Sequence, residues 1–203
     1  MALHRVPAGL DAEGNISGWE HRIVSQSIFA GSPFESFVVH EGVDHSTVEG
    51  ISDTPYALPD MQLDVHHPSV GVPALWWRSV GHTQNGWVTE VMIDQLAHAA
   101  KADPVDYRLG LLETHPRHRA VLQRAAAAAN WSAPAPEGRF RGVAVHESFS
   151  SFVAQVAEIS VDSVGRLKVH RVFCAVDCGF AINPDVVRAQ MEGGIGMGLG
   201  AFL

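Results

Sequence analysis

The apolar periodicity of this chain changes once, at the segment SAPAPEG (132–138), and that change limits what it can fold into. Before it, Val88, Val91, Met92, Leu96 and Ala99 fall on one face of a helix. A second helix follows Asp103-Pro104, whose carboxylate suits the N-cap and whose proline suits the first helical position. A third runs from Pro116 through the alanines 125–129, with Asn130 as its stop. After the change, residues 140–146, 152–161 and 166–176 read as strands, the last two joined by a turn at Asp162 to Gly165. Residues 4–11 and 19–28 read as a hairpin about an Asp-Gly-Asn turn. Short strands are expected at Ser36 to His40 and at 61–65, and Asn183-Pro184-Asp185 caps a last helix from Val186 onward. Strands, three helices, linker, strands and helix do not alternate regularly, so the class is α+β. The expected division is 1–131, strands and helices around an arginine loop; 132–139, a linker; and 140–203, strands with a Gly-rich helix.

Composition excludes several functions. A formal charge of −8, with 14 Lys and Arg among 22 Asp and Glu, leaves no basic run to track phosphates, so nucleic acid is not an expected partner. No apolar stretch reaches the ~18 residues of a membrane helix. The first residues lack the apolar core of a signal peptide. Both ends read as cut: the chain opens mid-strand and stops inside an apolar, Gly-rich run. Location stays open between cytoplasm, the default, and periplasm. Cys174 and Cys178 fall short of a metal set or a disulfide framework and read as small buried residues.

Two segments carry chemistry. In WWRSVGHT (76–83), an arginine sits just before a helix start, where free N–H groups and the dipole favour anions. Arg78 suits a phosphate, a pterin carbonyl or an oxo group; a packed loop with a surface arginine is the plainer alternative. In QMEGGIGMGLG, five glycines fall within residues 193–200. Each costs up to ~1 kcal/mol inside a helix, so a compensating close approach is needed, either to a cofactor or to another helix. The spacing is not that of a nucleotide-binding loop. The twelve histidines form no ligand set: His146-Glu147 opens like a zinc-protease motif, but Ser150 stands where the second His belongs. Glu147 and Glu158 are carboxylates on strands, open to acid–base work or to ion pairing.

Four stretches together resemble the molybdenum-cofactor subunit of the xanthine dehydrogenase and aldehyde oxidase family: GISDTPYALPDM, VPALWWRSVGHTQNGWVTEVMIDQLA, DPVDYRLGLLETHPRHRAVLQRAA, and the run from GVAVHESF to GIGMGLG. They cover most of residues 50–202. The short bridge at 131–140 is similar to the branch of isoquinoline 1-oxidoreductase β-subunits, which carry their other cofactor segment nearer the N-terminus. The resemblance implies a piece of the cofactor-binding domains of a hydroxylase large subunit. Trp76, Trp77 and Arg78 match the loop that touches the cofactor, and Gln190, Gly193 and Gly194 match a helix of the same domain. Where purine-type relatives have Arg-Gly-Phe-Gly, this chain has Arg78-Ser79-Val80-Gly81, which argues against a xanthine-type pocket.

The implied activity is hydroxylation of aldehydes or N-heteroaromatics with oxygen from water. The implied cofactor is molybdopterin in its cytosine dinucleotide form, with iron–sulfur clusters in a small [2Fe-2S] partner subunit. The family's Gly-x-Gly-Glu segment, which bears the base, is not among these residues. No catalytic residue and no protein metal ligand is therefore assigned, and the chain alone is expected to be inactive. The alternative is a non-catalytic module that acts only in subunit association.

Overall fold

The computed structural model describes residues 1–203. β1 (Ala2–Arg5) and β2 (Ala8–Leu10) follow one another antiparallel along one edge of the long β3 (Ile16–Ser25). The expected turn is there: the Asp11 carboxylate accepts from the backbone N–H groups of Glu13 and Asn15. The chain then leaves the sheet through α1 (Glu35–Val38), β4 (Val39–His40), β5 (Val43–Asp44) and α2 (His45–Val48). It returns as β6 (Met61–His66), parallel to the other edge of β3 from Trp19 opposite Met61 to Val24 opposite His66.

The strand expected at Ser36 to His40 is mostly a helical turn. Extended structure survives only at Val39–His40, where β5 supplies a partner across a turn with Glu41 and Gly42 at positive φ. Upstream, the Glu35 carboxylate accepts from the Gly31 N–H at 2.7 Å and winds the segment instead.

Three helices follow. α3 (Val80–Ala99) starts two turns before the first apolar signal. Its early buried face is made of Gly81 and Asn85, which hydrophobic periodicity does not register. Asn85 Nδ2 donates to the carbonyls of Thr47 and Glu49, both at 2.8 Å. α4 (Pro104–Leu111) is capped as expected: Asp103 Oδ1 accepts from Val105 N–H at 2.8 Å and from Asp106 N–H at 3.2 Å. α5 (Pro116–Ala128) ends at Asn130, whose φ is 49°.

β7 (Phe140–Ser148), β8 (Ser151–Val161) and β9 (Leu167–Asp177) form an antiparallel meander in that order, with α5 packed on it. The β7–β8 turn places Phe149 and Ser150 both at positive φ, as a two-residue hairpin turn requires. Glu147 holds it by accepting from Ser150 N–H at 2.6 Å. Glu158, 2% exposed, lies between Arg139 and Arg171, and both hold its carboxyl below the usual range. Both carboxylates therefore have structural partners. α6 (Pro184–Phe202) begins at Asn183, whose Oδ1 accepts from Asp185 and Val186 N–H.

One cluster of 16 buried side chains joins these parts. Ile16 and Trp19 of β3, Ile93 and Leu96 of α3, Leu122 of α5, and Val145 and Val156 of the meander all belong to it. The core thus draws on residues from both sides of 132–139. No helix is long and apolar enough to cross a membrane.

The cysteines differ from expectation. Cys174 is exposed and Cys178 half-buried, both as free thiols. Phe173 and Ala175 pack on the core, so the pleat turns Cys174 to the opposite face of β9. There a cavity of about 650 Å³ separates β9 from α6.

Inside the core, Arg108 of α4 has no exposed side-chain surface. It donates to Glu90 Oε2 at 3.0 Å, to Asp94 Oδ1 at 2.6 Å, and to the carbonyls of Pro104 and Glu90. Glu90 also accepts from Tyr56 Oη at 2.6 Å and from Val145 N–H at 3.0 Å. Removing the cation strands a buried carboxylate, so Arg108→Ala is expected to cost about 3–5 kcal/mol in urea denaturation. A loss below about 1 kcal/mol would contradict this account of the core.

Candidate functional site

The loop after β6 brings Trp76, Trp77 and Arg78 to the start of α3. A turn from Val80 N–H to the Trp77 carbonyl, at 3.0 Å, folds it back. Ser79 and Val80 both take positive φ, 74° and 46°. For a β-branched residue such as Val80 that conformation is a strained one. The side chains of Ser79 and Thr83 hold the turn: their hydroxyls lie 2.8 Å apart, and both donate to the Arg78 carbonyl. Gly81 is required by close approach, since a Cβ there would lie 2.0 Å from the Ser46 carbonyl oxygen of α2.

Behind this contact sits Asp44, which has no exposed surface. Its carboxylate accepts from Ser27 and Ser46 hydroxyls, both at 2.6 Å, and from backbone N–H groups of Ile28, Phe29 and Ser46. Those bonds fix Phe29, whose ring stacks on Trp76 with centroids 5.1 Å apart. A buried carboxylate therefore sets the loop's position from below.

Arg78 Nη2 donates to Gln190 Oε1 of α6 at 2.9 Å, across 112 residues of sequence. Both line a cavity of about 760 Å³. Trp77, Arg78, Gln190 and Gly194 line it, with Trp87 from α3 and His146 from β7. Trp76 is not on that lining and faces a smaller cavity of about 220 Å³ beside Ile28. Gly193 is not on it either. No carboxylate lines the larger cavity.

The glycine helix resolves one alternative left open by its composition. No residue of α6 is buried. A Cβ built on Gly193, Gly194, Gly196, Gly198 or Gly200 would meet nothing within 4 Å. Close packing against another helix of this chain is therefore not what these glycines serve. Gly194 and Gly198 line the cavity with Met191 and Met197 and stand beside an arginine, and that donor chemistry fits an oxygen-rich ligand such as a molybdopterin.

Sequence reasoning weighed His146 only as the start of an unmatched metal motif and did not single out His82. His82 Nδ1 and His146 Nε2 are 2.9 Å apart, with rings at 74°. Burial, with His82 beside it, pushes the His146 imidazole down to about 4. Partners 64 residues apart leave no local signal, and the unmatched zinc-protease pattern was the only mark on His146. Of the twelve histidines, no group with cysteine or carboxylate partners is arranged to hold a metal ion.

A family model described as the molybdopterin cofactor-binding domain matches residues 84–203. The chain is 34% identical to the beta subunit of isoquinoline 1-oxidoreductase from Brevundimonas diminuta, over all of this chain and 26% of that protein. It is 30% identical to the B subunit of nicotinate dehydrogenase from Pseudomonas putida, over 95% of this chain and 18% of that protein. It is 25% identical to the membrane-bound aldehyde dehydrogenase [pyrroloquinoline-quinone] of Gluconacetobacter polyoxogenes, over all of this chain and 29% of that protein. The chain thus spans no more than about a third of these relatives, and Gln190, Gly193 and Gly194 lie in the family match while Trp76 to Arg78 precede it.

Two outcomes follow from this geometry. Gly81→Ala should destabilise the fold by about 3 kcal/mol through overpacking against Ser46, whereas Gly194→Ala should be neutral or stabilising by up to ~1 kcal/mol. Thermal melts of both variants check the pair, and equal effects would refute the close-approach argument. Separately, burial holds His21, His118 and His146 down to about 4, so they are neutral in the fold where the unfolded chain, near 6.5, protonates them. The unfolded state then binds more protons, so stability falls as pH drops from about 6.5 towards 4. Urea denaturation across that window checks the sign.

Proposed function

The chain belongs to the molybdopterin-binding xanthine dehydrogenase family, and from that premise we propose that its Arg78 cavity is part of a molybdenum cofactor site in an oxidoreductase that hydroxylates aldehydes or N-heteroaromatics of the isoquinoline type. One observation carries the reading: a loop arginine and a helix glutamine, distant in sequence, meet at 2.9 Å on one cavity that Gly194 and Gly198 of the same helix also line. When bound, the cofactor supplies the two-electron redox chemistry of the reaction.

The chain's own residues bind and orient. Arg78 offers donors from a fixed planar fork to phosphate or pterin oxygens. The Gln190 carbonyl is engaged by Arg78, so its amide N–H groups remain as donors. Gly194 keeps the helix wall thin enough for the cofactor to lie against it, and Trp77 and Trp87 close the apolar side. Trp76, stacked on Phe29, supports the loop. Gly193 sits beside Gly194 on the same turn of α6, off the lining of this cavity.

The names of two relatives, an isoquinoline and a nicotinate oxidoreductase subunit, support an N-heteroaromatic substrate, and the name of the third supports an aldehyde. Both named subunits support a partner subunit, which we take to be the small [2Fe-2S] protein that removes the electrons, with the cofactor in its cytosine dinucleotide form. A second reading, a module that serves only subunit association, is favoured by Phe180 and Ile182, each 90% exposed.

Molybdenum per polypeptide decides between them. A protein carrying this sequence, produced with its partner in a host that makes the cofactor, should hold near-stoichiometric metal. Arg78→Ala should lower that content about tenfold, the loss of one charge-assisted contact. Gly194→Leu should fill the wall and lower it too, without loss of thermal stability. Metal-free wild-type protein would sink the cofactor reading and leave the association module.

A further inference from the structure

The cavity carries one pair of side chains that the proposed function leaves unused. His146 lines it, and His82, in the first turn of α3, stands behind with Nδ1 2.9 Å from His146 Nε2. Two imidazole nitrogens at that distance share one proton, one ring donating and the other accepting. The His146 ring is wedged in place. A Cβ on Gly50 would lie 2.8 Å from its Cε1, and one on Gly86 would lie 3.2 Å from its Nδ1. Glycine at both positions admits the ring, and their backbones keep it from swinging away.

The surrounding charges set which ring donates. Glu49 and Asp53 supply the carboxylates: Glu49 interacts with His82 and Asp53 with His146, while His118 opposes a charge on His146. Glu49 Oε2 is buried with no hydrogen-bond partner. Burial favours a neutral His146, and of its two tautomers the one that accepts from His82 Nδ1–H leaves a proton on Nδ1. His146 then accepts at Nε2, and its own proton sits on Nδ1, the nitrogen that bonds to no other group in the chain.

We propose that His146 is a further ligand-binding residue of this cavity, a hydrogen-bond donor through Nδ1–H, with His82 as the positioning residue that sets its tautomer. Arg78 and the free amide of Gln190 are donors on the same lining, which holds no carboxylate, so the group that these three residues would take is an acceptor-rich oxygen, a carbonyl or phosphoryl edge of the bound cofactor. This rests on the cofactor reading above.

The test uses the assembled protein, with molybdenum and pterin content, melting temperature and imidazole ¹⁵N spectra as readouts. His146→Leu should lower retained cofactor about tenfold, as expected for a lost hydrogen bond that leaves a buried acceptor unpaired. His146→Asn, whose amide reaches the place of Nδ1, should restore most of it. His82→Phe should leave the fold intact, move the His146 proton off Nδ1 in the ¹⁵N spectrum, and lower retention as His146→Leu does. Cofactor-free wild type would overturn the cofactor reading itself. Loaded wild type with equal loading of His146→Leu, or a wild-type spectrum with the proton on Nε2, would overturn this proposal alone.

Discussion

The buried carboxylate of Glu90 is the point on which the rest of the molecule is hung. It accepts from Arg108 of α4, from Tyr56 in the segment before β6, and from the Val145 N–H of β7. Three separate parts of the chain are thereby tied to one side chain of α3. A charge taken out of water is costly, and it persists only where every lone pair is met. The same demand that makes Glu90 expensive makes the position of α3 against the meander specific. Two turns along α3, His82 meets His146, the residue next to Val145. The core clamp and the histidine pair therefore set the same helix on the same strand, one inside the core and one at the rim of the cavity.

Much of this was legible locally. Asp103 and Asn183 cap the helices they were expected to cap, because a short oxygen-bearing side chain before a proline has little else to do. The meander strands and the Asp162 turn were readable from alternation and turn chemistry. The early part of α3 was not, because its buried face consists of a glycine and an asparagine rather than a stripe of apolar residues. The two-residue turn at Phe149-Ser150 also lacked the usual Asn-Gly signal, so its geometry was invisible until the strands paired.

The site divides in the same way. Arg78 and the Gly-rich helix stood out by residue type, since an arginine before a helix and glycines inside one both need a reason. That they face each other was not, because no periodicity reports a contact across 112 residues. Trp76 and Trp77, adjacent in sequence, part in the fold: Trp76 stacks on Phe29 and Trp77 lines the larger cavity. The cysteines show the converse. Their type suggested burial, yet Cys174 is on the face of β9 away from the core and beside a helix that buries none of its own residues.

The parallel pairing of β6 with β3 bears on how the chain reaches this state. The β2–β3 hairpin, the meander and the capped helices form between neighbours in sequence and close small loops. β6 can join β3 only after the whole excursion through α1, β4, β5 and α2 has been gathered in, a closure with a larger entropic cost. The arginine loop leaves directly from β6. Its placement is therefore coupled to the slowest kind of pairing in the molecule, so the folding step that registers β6 is also the one that brings Arg78 to its cavity.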